Sequence, residues 1–211
     1  MQTFDSECRL CPRLAGFLDD VRVRQPAYYA KPVPPFGDIA PRLFIVGLAP
    51  GMHGANRTGR PFTGDYAGVL LYETLHRYGF ASAPQSLAAD DGLRLTGCRI
   101  SNAVKCLPPE NKPTGAEINT CNSFLAAELA ALPTDTIILA LGSVAHLAVL
   151  KALRLKAAGN KFSHAARHAL PSGHVLYDSY HCSRYNTQTK RLTAAMFHGV
   201  FDLINVELRR I

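Results

Sequence analysis

The chain has 211 residues, 47% hydrophobic and 18% charged, with 23 Lys+Arg against 16 Asp+Glu for a formal net charge of +7. That balance excludes disorder as the main state, and the length suits a single domain over residues 1–211. The longest apolar run, 137–150, is shorter than the about 20 residues a membrane-spanning helix needs, so a polyanionic partner fits the charge better than a membrane.

In chain order, the first feature is Cys8-x-x-Cys11, just before a helical stretch and with no apolar signal region ahead of it. A cytoplasmic, monomeric protein is expected, and cysteines in a reducing compartment read as metal or cluster ligands before disulfides. Residues 24–41 hold five prolines and read as an extended connector. A β-rich run at 43–48 ends in a glycine-rich segment, 47–65, which leads into a helix over 66–80 with apolar Val69, Leu70, Leu75 and Tyr78. That segment suits a phosphate or substrate loop, but Gly59 is followed by Arg60-Pro61, so it is not a nucleotide P-loop.

Residues 81–97 read as a loop, and 98–104 as a second strand. Cys106 and Cys121 follow, with fourteen residues between them, among these Pro108, Pro109 and Pro113. Two pairs of thiolates can close a tetrahedral zinc site or hold a cubane cluster; the second pair lacks CxxC spacing, which tilts towards a cluster without deciding. Thr114 and Glu117 form a capping box for a helix over 116–132. A strand at 136–141, a helix at 143–153 and a strand at 175–180 come next. A last helix, 191–208, places Leu192, Ala195, Met196, Gly199, Val200 and Leu203 on one face.

Strands alternating with helices predict an α/β fold with a parallel sheet covered on both sides, and ligands in such folds bind at the carboxyl ends of the strands. Three chemistry-bearing segments fall there: 47–51, 102–106 and 181–186. Phe62 is either a core plug or a stacking platform for a base. Asp65 is either a helix cap or an acid. His181 sits in a loop of hydroxyls, an aromatic and cations that suits contact with phosphates.

Four motifs carry a resemblance: Gly47-Leu48-Ala49-Pro50-Gly51, Gly59-Arg60-Pro61-Phe62-Thr63-Gly64-Asp65, Asn102-Ala103-Val104-Lys105-Cys106, and Ser179-Tyr180-His181-x-Ser183. Together they resemble the uracil-DNA glycosylase superfamily, above all its iron–sulfur family 5, from Cys8 to about Arg191. The resemblance implies a three-layer α/β/α sandwich with a central four-stranded parallel sheet. It implies a [4Fe–4S] cluster on Cys8, Cys11, Cys106 and Cys121. It also implies a DNA glycosylase that excises uracil, and other deaminated bases such as hypoxanthine, in base excision repair. Two residues depart from the family pattern: Cys182, where Pro is usual, and Lys190, where Gly is common.

The resemblance and the chemistry together give expected roles, those of Asp65 and Tyr185 being what the resemblance implies. A flipped base would rest on Gly47 and Ala49 and stack on Phe62. The Asn102 amide would pair with the uracil carbonyl and N–H together. His181 would stabilise negative charge on the departing base, and Asp65 would orient water and stabilise the sugar cation. Tyr185 would fill the gap left in the duplex, while Arg60, Ser183, Arg184, Lys190 and Arg191 would hold the DNA backbone. His53 and Asn56 are second-line candidates. The competing readings are a non-catalytic iron–sulfur protein that binds DNA damage or transfers electrons, and a zinc-stabilised nucleotide hydrolase.

Overall fold

The structure, a computed structural model, describes residues 3–210. Its spine is four parallel strands: β2 (Leu43–Gly47), β3 (Cys98–Asn102), β4 (Ile137–Leu141) and β6 (Val175–Ser179). Two short antiparallel strands extend the edges, β1 (Phe36–Gly37) beside β3 and β5 (Arg167–Ala169) beside β6. The expected parallel four are present, and the sheet as a whole has six strands in the order β1-β3-β2-β4-β6-β5. Neither edge strand is long enough to show an alternating pattern, which is why the sequence reading missed both. β1 lies inside the stretch read as a connector.

Both central strands are buried throughout, as a sheet covered on two sides requires. Alternate residues of β2 part company: Leu43 and Ile45 face α3 (Tyr66–Arg77) and α7 (Ala194–Leu208), while Phe44 and Val46 face α4 (Gly115–Ala130) and α5 (Ser143–Ala152). A period of two in one strand thus builds both cores of a three-layer sandwich. A third cluster packs α1 (Pro12–Arg24) against Val104, Leu107 and Phe124.

The capping box at the start of α4 is formed. Thr114 Oγ1 accepts from the Glu117 amide at 3.3 Å, and Glu117 Oε2 accepts from the Thr114 amide at 2.7 Å. Two helix faces differ from their expected patterns. α7 buries Phe197, Val200, Phe201, Ile204 and Leu208, and it leaves Leu203 exposed. α3 buries Leu71, Tyr72 and Leu75 and exposes Val69. In both, the buried face is the one the helix turns to the sheet, and it carries most of the large apolar side chains, whose burial free energy scales with apolar area.

Strand register places the site. Gly47 is paired with Asn102, and Leu141 with Ser179, so the carboxyl ends of the four strands lie level. The chain leaves β2 towards β3 on one side and leaves β4 towards β6 on the other. Such a switch point opens a crevice between the two strands.

Candidate active site

That crevice is a cleft of about 570 Å³, and its lining includes Ala49, Phe62, Asp65, Asn102, His181, Ser183, Arg184, Tyr185 and Arg191. Segments far apart in sequence therefore meet in one place. Phe62 and His181 stack with ring centroids 5.9 Å apart and planes at 28°. Phe62 adopts φ 58°, a left-handed conformation rarely held by a bulky residue and a form of strain that collects at functional sites. Beneath it lies Gly47. A Cβ on Gly47 would come within 2.6 Å of Phe62 Cζ and run into Asn102 Oδ1, so only glycine lets ring and amide settle side by side.

Two polar atoms in this group are buried without a hydrogen-bond partner, Asn102 Oδ1 and His181 Nδ1. Leaving such an atom unpaired costs about 1–3 kcal/mol, and Asn56 and His198 carry unpaired atoms as well. Burial pushes the His181 pKa down to about 4, and the ring is neutral at physiological pH. Asn102 itself is held from behind. The fully buried Lys105 ammonium donates to the Asn102 backbone carbonyl at 2.9 Å and to Ser101 Oγ at 2.5 Å, and pairs with Glu128 at 2.8 Å.

Asp65 stands at the N-cap position of α3 yet makes no capping bond there. Its carboxylate turns instead against Gly54, where a Cβ would collide with it, and lies near Gly51. Burial holds its pKa above the ordinary carboxylate value, with a hydrogen bond from the Ala55 backbone acting the other way. At the rim, Tyr185 is 71% exposed. It rises from a short helix, α6 (Arg184–Gln188), capped by Ser183. Arg184 lies over the Tyr66 ring at 5.8 Å, and Arg191 over Tyr180 at 4.9 Å.

Arg60 needs correction as a DNA contact. Its side chain is 7% exposed and points into the protein, where it binds Asp91 at 2.7 Å, Ser86 Oγ at 3.0 Å and the Ala89 carbonyl. Its guanidinium also lies 4.5 Å from the Phe36 ring centroid. It is a structural cation that fastens the 81–97 loop. Lys190 is exposed but outside the cleft lining, at φ 56°, a conformation that favours glycine. Cys182, where the family pattern has Pro, is fully buried in the core. His53 bonds Tyr28 Oη at 2.8 Å outside the lining, and the Asn56 amide is buried with both ends unpaired. Sequence reasoning passed over Tyr66 and Phe162, which line the cleft. Tyr66 was findable as an aromatic opening a helix, whereas Phe162 lies in a stretch without periodicity.

Cys8, Cys11, Cys106 and Cys121 line one small pocket at the opposite end of the 102–106 segment, all as free thiols. The Lys105 amide donates to Cys121 Sγ at 3.3 Å. Among the described residues, the only three metal-ligand-type side chains with donor atoms all within 4.8 Å of one another are His146, His168 and Asp178. No three of the cysteine sulfurs are that close, whereas sulfurs on one tetrahedral zinc lie about 3.8 Å apart, given bonds of about 2.3 Å. The donor set is all-thiolate, the chemistry that holds either a tetrahedral zinc ion or an iron–sulfur cluster.

Comparison with known proteins agrees with this geometry. The chain is 49% identical over 195 residues to the type-5 uracil-DNA glycosylase of Thermus thermophilus, covering 90% of this chain and 89% of that protein. It is 45% identical over 209 residues to the type-5 enzyme of Mycobacterium tuberculosis (93% and 76% covered), and 42% over 190 residues to that of Pyrobaculum aerophilum (88% and 82%). The family model of the uracil DNA glycosylase superfamily matches residues 34–204, from the first sheet edge to the last helix, and the chain belongs to that superfamily.

Proposed function

We propose that this chain is a uracil-DNA glycosylase, which hydrolyses the N-glycosidic bond of a flipped-out uracil nucleotide in base excision repair. The observation that carries this reading is the convergence of Phe62, Asn102, His181 and Asp65 in one cleft at the carboxyl end of the sheet, with Asn102 Oδ1 and His181 Nδ1 unpaired. Flipping costs a few kcal/mol, and stacking on Phe62 returns about 1–3 kcal/mol. The Asn102 amide accepts from the uracil N–H and donates to its carbonyl.

As the C1′–N1 bond breaks, the electron pair stays with the base and the sugar becomes cationic. His181 donates to the base carbonyl where negative charge gathers, and being neutral it does not repel the sugar cation. Asp65, ionised, steadies that cation and orients the water that attacks C1′, and the proton the water gives up ends on the departed base anion, which completes the hydrolysis. Ala49 leaves room in the cleft for the base, whereas Gly47, outside the lining, acts by letting Phe62 and Asn102 settle side by side. Tyr185 enters the duplex, while Ser183, Arg184, Arg191 and Lys190 hold phosphates. Hypoxanthine presents the same lactam C=O and N–H edge as uracil, so it belongs in the substrate range.

Cys8, Cys11, Cys106 and Cys121 would hold a [4Fe–4S] cluster whose contribution is a cross-link between the N-terminal segment, the 102–106 segment and α4. Hydrolysis needs no electron from it. We take the working form to be a cytoplasmic monomer. No helix among the described residues is long and apolar enough to cross a membrane. A non-catalytic role in damage binding or electron transfer would leave the unpaired amide and imidazole without a use.

The test is alkali-revealed cleavage of a duplex with one uracil. Wild type should cut it, and Asp65→Ala and Asn102→Ala should each lose at least about 100-fold in rate while keeping their Tm. Full activity in both variants would overturn the site.

A further inference from the structure

A second polar cluster lies behind the cleft wall, and nothing in the reaction above uses it. His146 in the first turn of α5 and Asp178 on β6 are buried, and His168 on β5 is nearly so. Asp178 accepts at both oxygens, from His146 Nδ1 at 2.8 Å and from His168 Nε2 at 2.9 Å. The other nitrogen of His146, Nε2, lies 2.8 Å from the Asn160 backbone carbonyl. A carbonyl oxygen can only accept, so Nε2 carries a proton. Nδ1 faces a carboxylate oxygen at the same distance, and a bare lone pair there would be repelled. That contact also needs a proton, and imidazole is a stronger base than a carboxylate. Both ring nitrogens therefore donate. The N–O separations are those of hydrogen bonds, shorter than the roughly 3.3 Å expected between tetrahedral ligands of one metal ion.

The bond to Asn160 has a consequence for the cleft. The turn at 156–160 closes mainly on itself, through Asn160 N to the Ala157 carbonyl at 3.0 Å and Asn160 Nδ2 to the Lys156 carbonyl at 3.1 Å. Two residues on, Phe162 packs edge-on against His146 at 5.7 Å and tilted against Tyr180 at 6.2 Å, and it lines the same cleft as His181. We propose that His146 is a positioning residue: a doubly donating imidazolium that ties β6 to the 156–163 segment and so sets the Phe162 wall of the base cleft.

The charged or titratable groups facing this ring are Asp178 from β6 and His168 from β5, whose ring centroid is 5.2 Å away; the segment contributes the neutral Asn160 carbonyl and Phe162. Burial opposes the charge, but the bonds to Asp178 and Asn160 outweigh it and raise the pKa above 6.5. The tie is complete below pH 6.5 and is lost as pH rises through the folded-state value.

Two measurements on the cluster-containing protein test the structural claim without using activity. Long-range nitrogen–proton spectra should show both His146 ring nitrogens protonated at pH 6. Amide hydrogen exchange in 156–163, corrected for intrinsic rates, should quicken as pH rises past the titration and should already be fast in His146→Gln, which can donate in only one direction. The functional arm rests on the glycosylase reading: His146→Gln should raise KM for uracil-containing duplex roughly three- to tenfold, the equivalent of one hydrogen bond, with kcat nearly unchanged. A neutral ring at pH 6 would overturn the proposal, as would a tightly bound stoichiometric divalent ion on these three residues. If His146→Gln does not fold, ring titration and pH-dependent exchange in the wild type decide alone. A protein with the predicted spectra that cuts no uracil duplex would sink the glycosylase reading and leave the tie standing.

Discussion

At the scale of single residues, the site trades stability for readiness. Asn102 Oδ1 is buried and unpaired, so Asn102→Leu removes an unsatisfied acceptor at a position that already packs on Phe62. Its thermal stability should hold or rise by up to about 1 kcal/mol while uracil excision collapses. Asp65 makes a second case. Burial holds its folded pKa above its unfolded value of 3.8, so the ionised form is disfavoured in the native state. For an acid shifted upward, folding is more favourable below the folded pKa, and a cost remains at neutral pH. Asp65→Asn should therefore raise Tm at pH 7 but not in acid, and should abolish activity. The wild-type rate should fall in acid as Asp65 takes up a proton, with His181 staying neutral until about pH 4. An acid limb that persists unchanged in the residual activity of Asp65→Asn would show that another group sets it.

Between elements, cations divide by what surrounds them. Arg60 and Asp91 form a nearly buried pair that joins the Gly59–Asp65 motif to the 81–97 loop. Removing one partner of such a pair strands the other, at a cost of about 3–5 kcal/mol. Arg60→Met should unfold at a markedly lower temperature, while the salt dependence of DNA binding in the surviving fold stays as in wild type. Arg191 is exposed at the cleft mouth. Arg191→Ala should keep its Tm and reduce the slope of log K against log salt by about 1, as the loss of one phosphate contact requires. Asp91 adds a pH signature: its pKa is about 2, because the bonds from Arg60 and three backbone amides outweigh the effect of burial. The stability it lends is present above 3.8 and is lost as pH falls through about 2.

Across the whole molecule, the 102–106 segment joins two centres. Its first residue offers an amide to the cleft, its fourth places an ammonium under that residue's carbonyl and an amide on Cys121 Sγ, and its last is Cys106. Cys8 and Cys11 enter the same pocket from the N-terminal side, and Arg13 grips Glu117 of α4 with both contacts at 2.7 Å. Loss of the thiolates should thus reach the cleft through one rigid stretch of chain. With the proposed cluster on these four thiolates, Cys8→Ser/Cys11→Ser should lose iron and visible absorption, lower Tm and reduce excision. Lys105→Met should keep its iron yet lose activity, because it releases the Asn102 backbone without removing a sulfur.

The parallel α/β core, the capped start of α4, and the membership of Phe62, Asp65, Asn102 and His181 in segments that follow strands were legible in the amino-acid order. These follow from local rules: alternation along a strand, a capping pair three residues apart, glycines where backbone and side chain crowd. That order did not determine what Arg60 binds, which face of α7 is buried, that β1 and β5 exist, or that His146 meets Asn160. Arg60 looked like a phosphate contact because its partner Asp91 lies 31 residues away. These points come from folding, since desolvation and pairing depend on which distant side chains the sheet brings within a few ångströms.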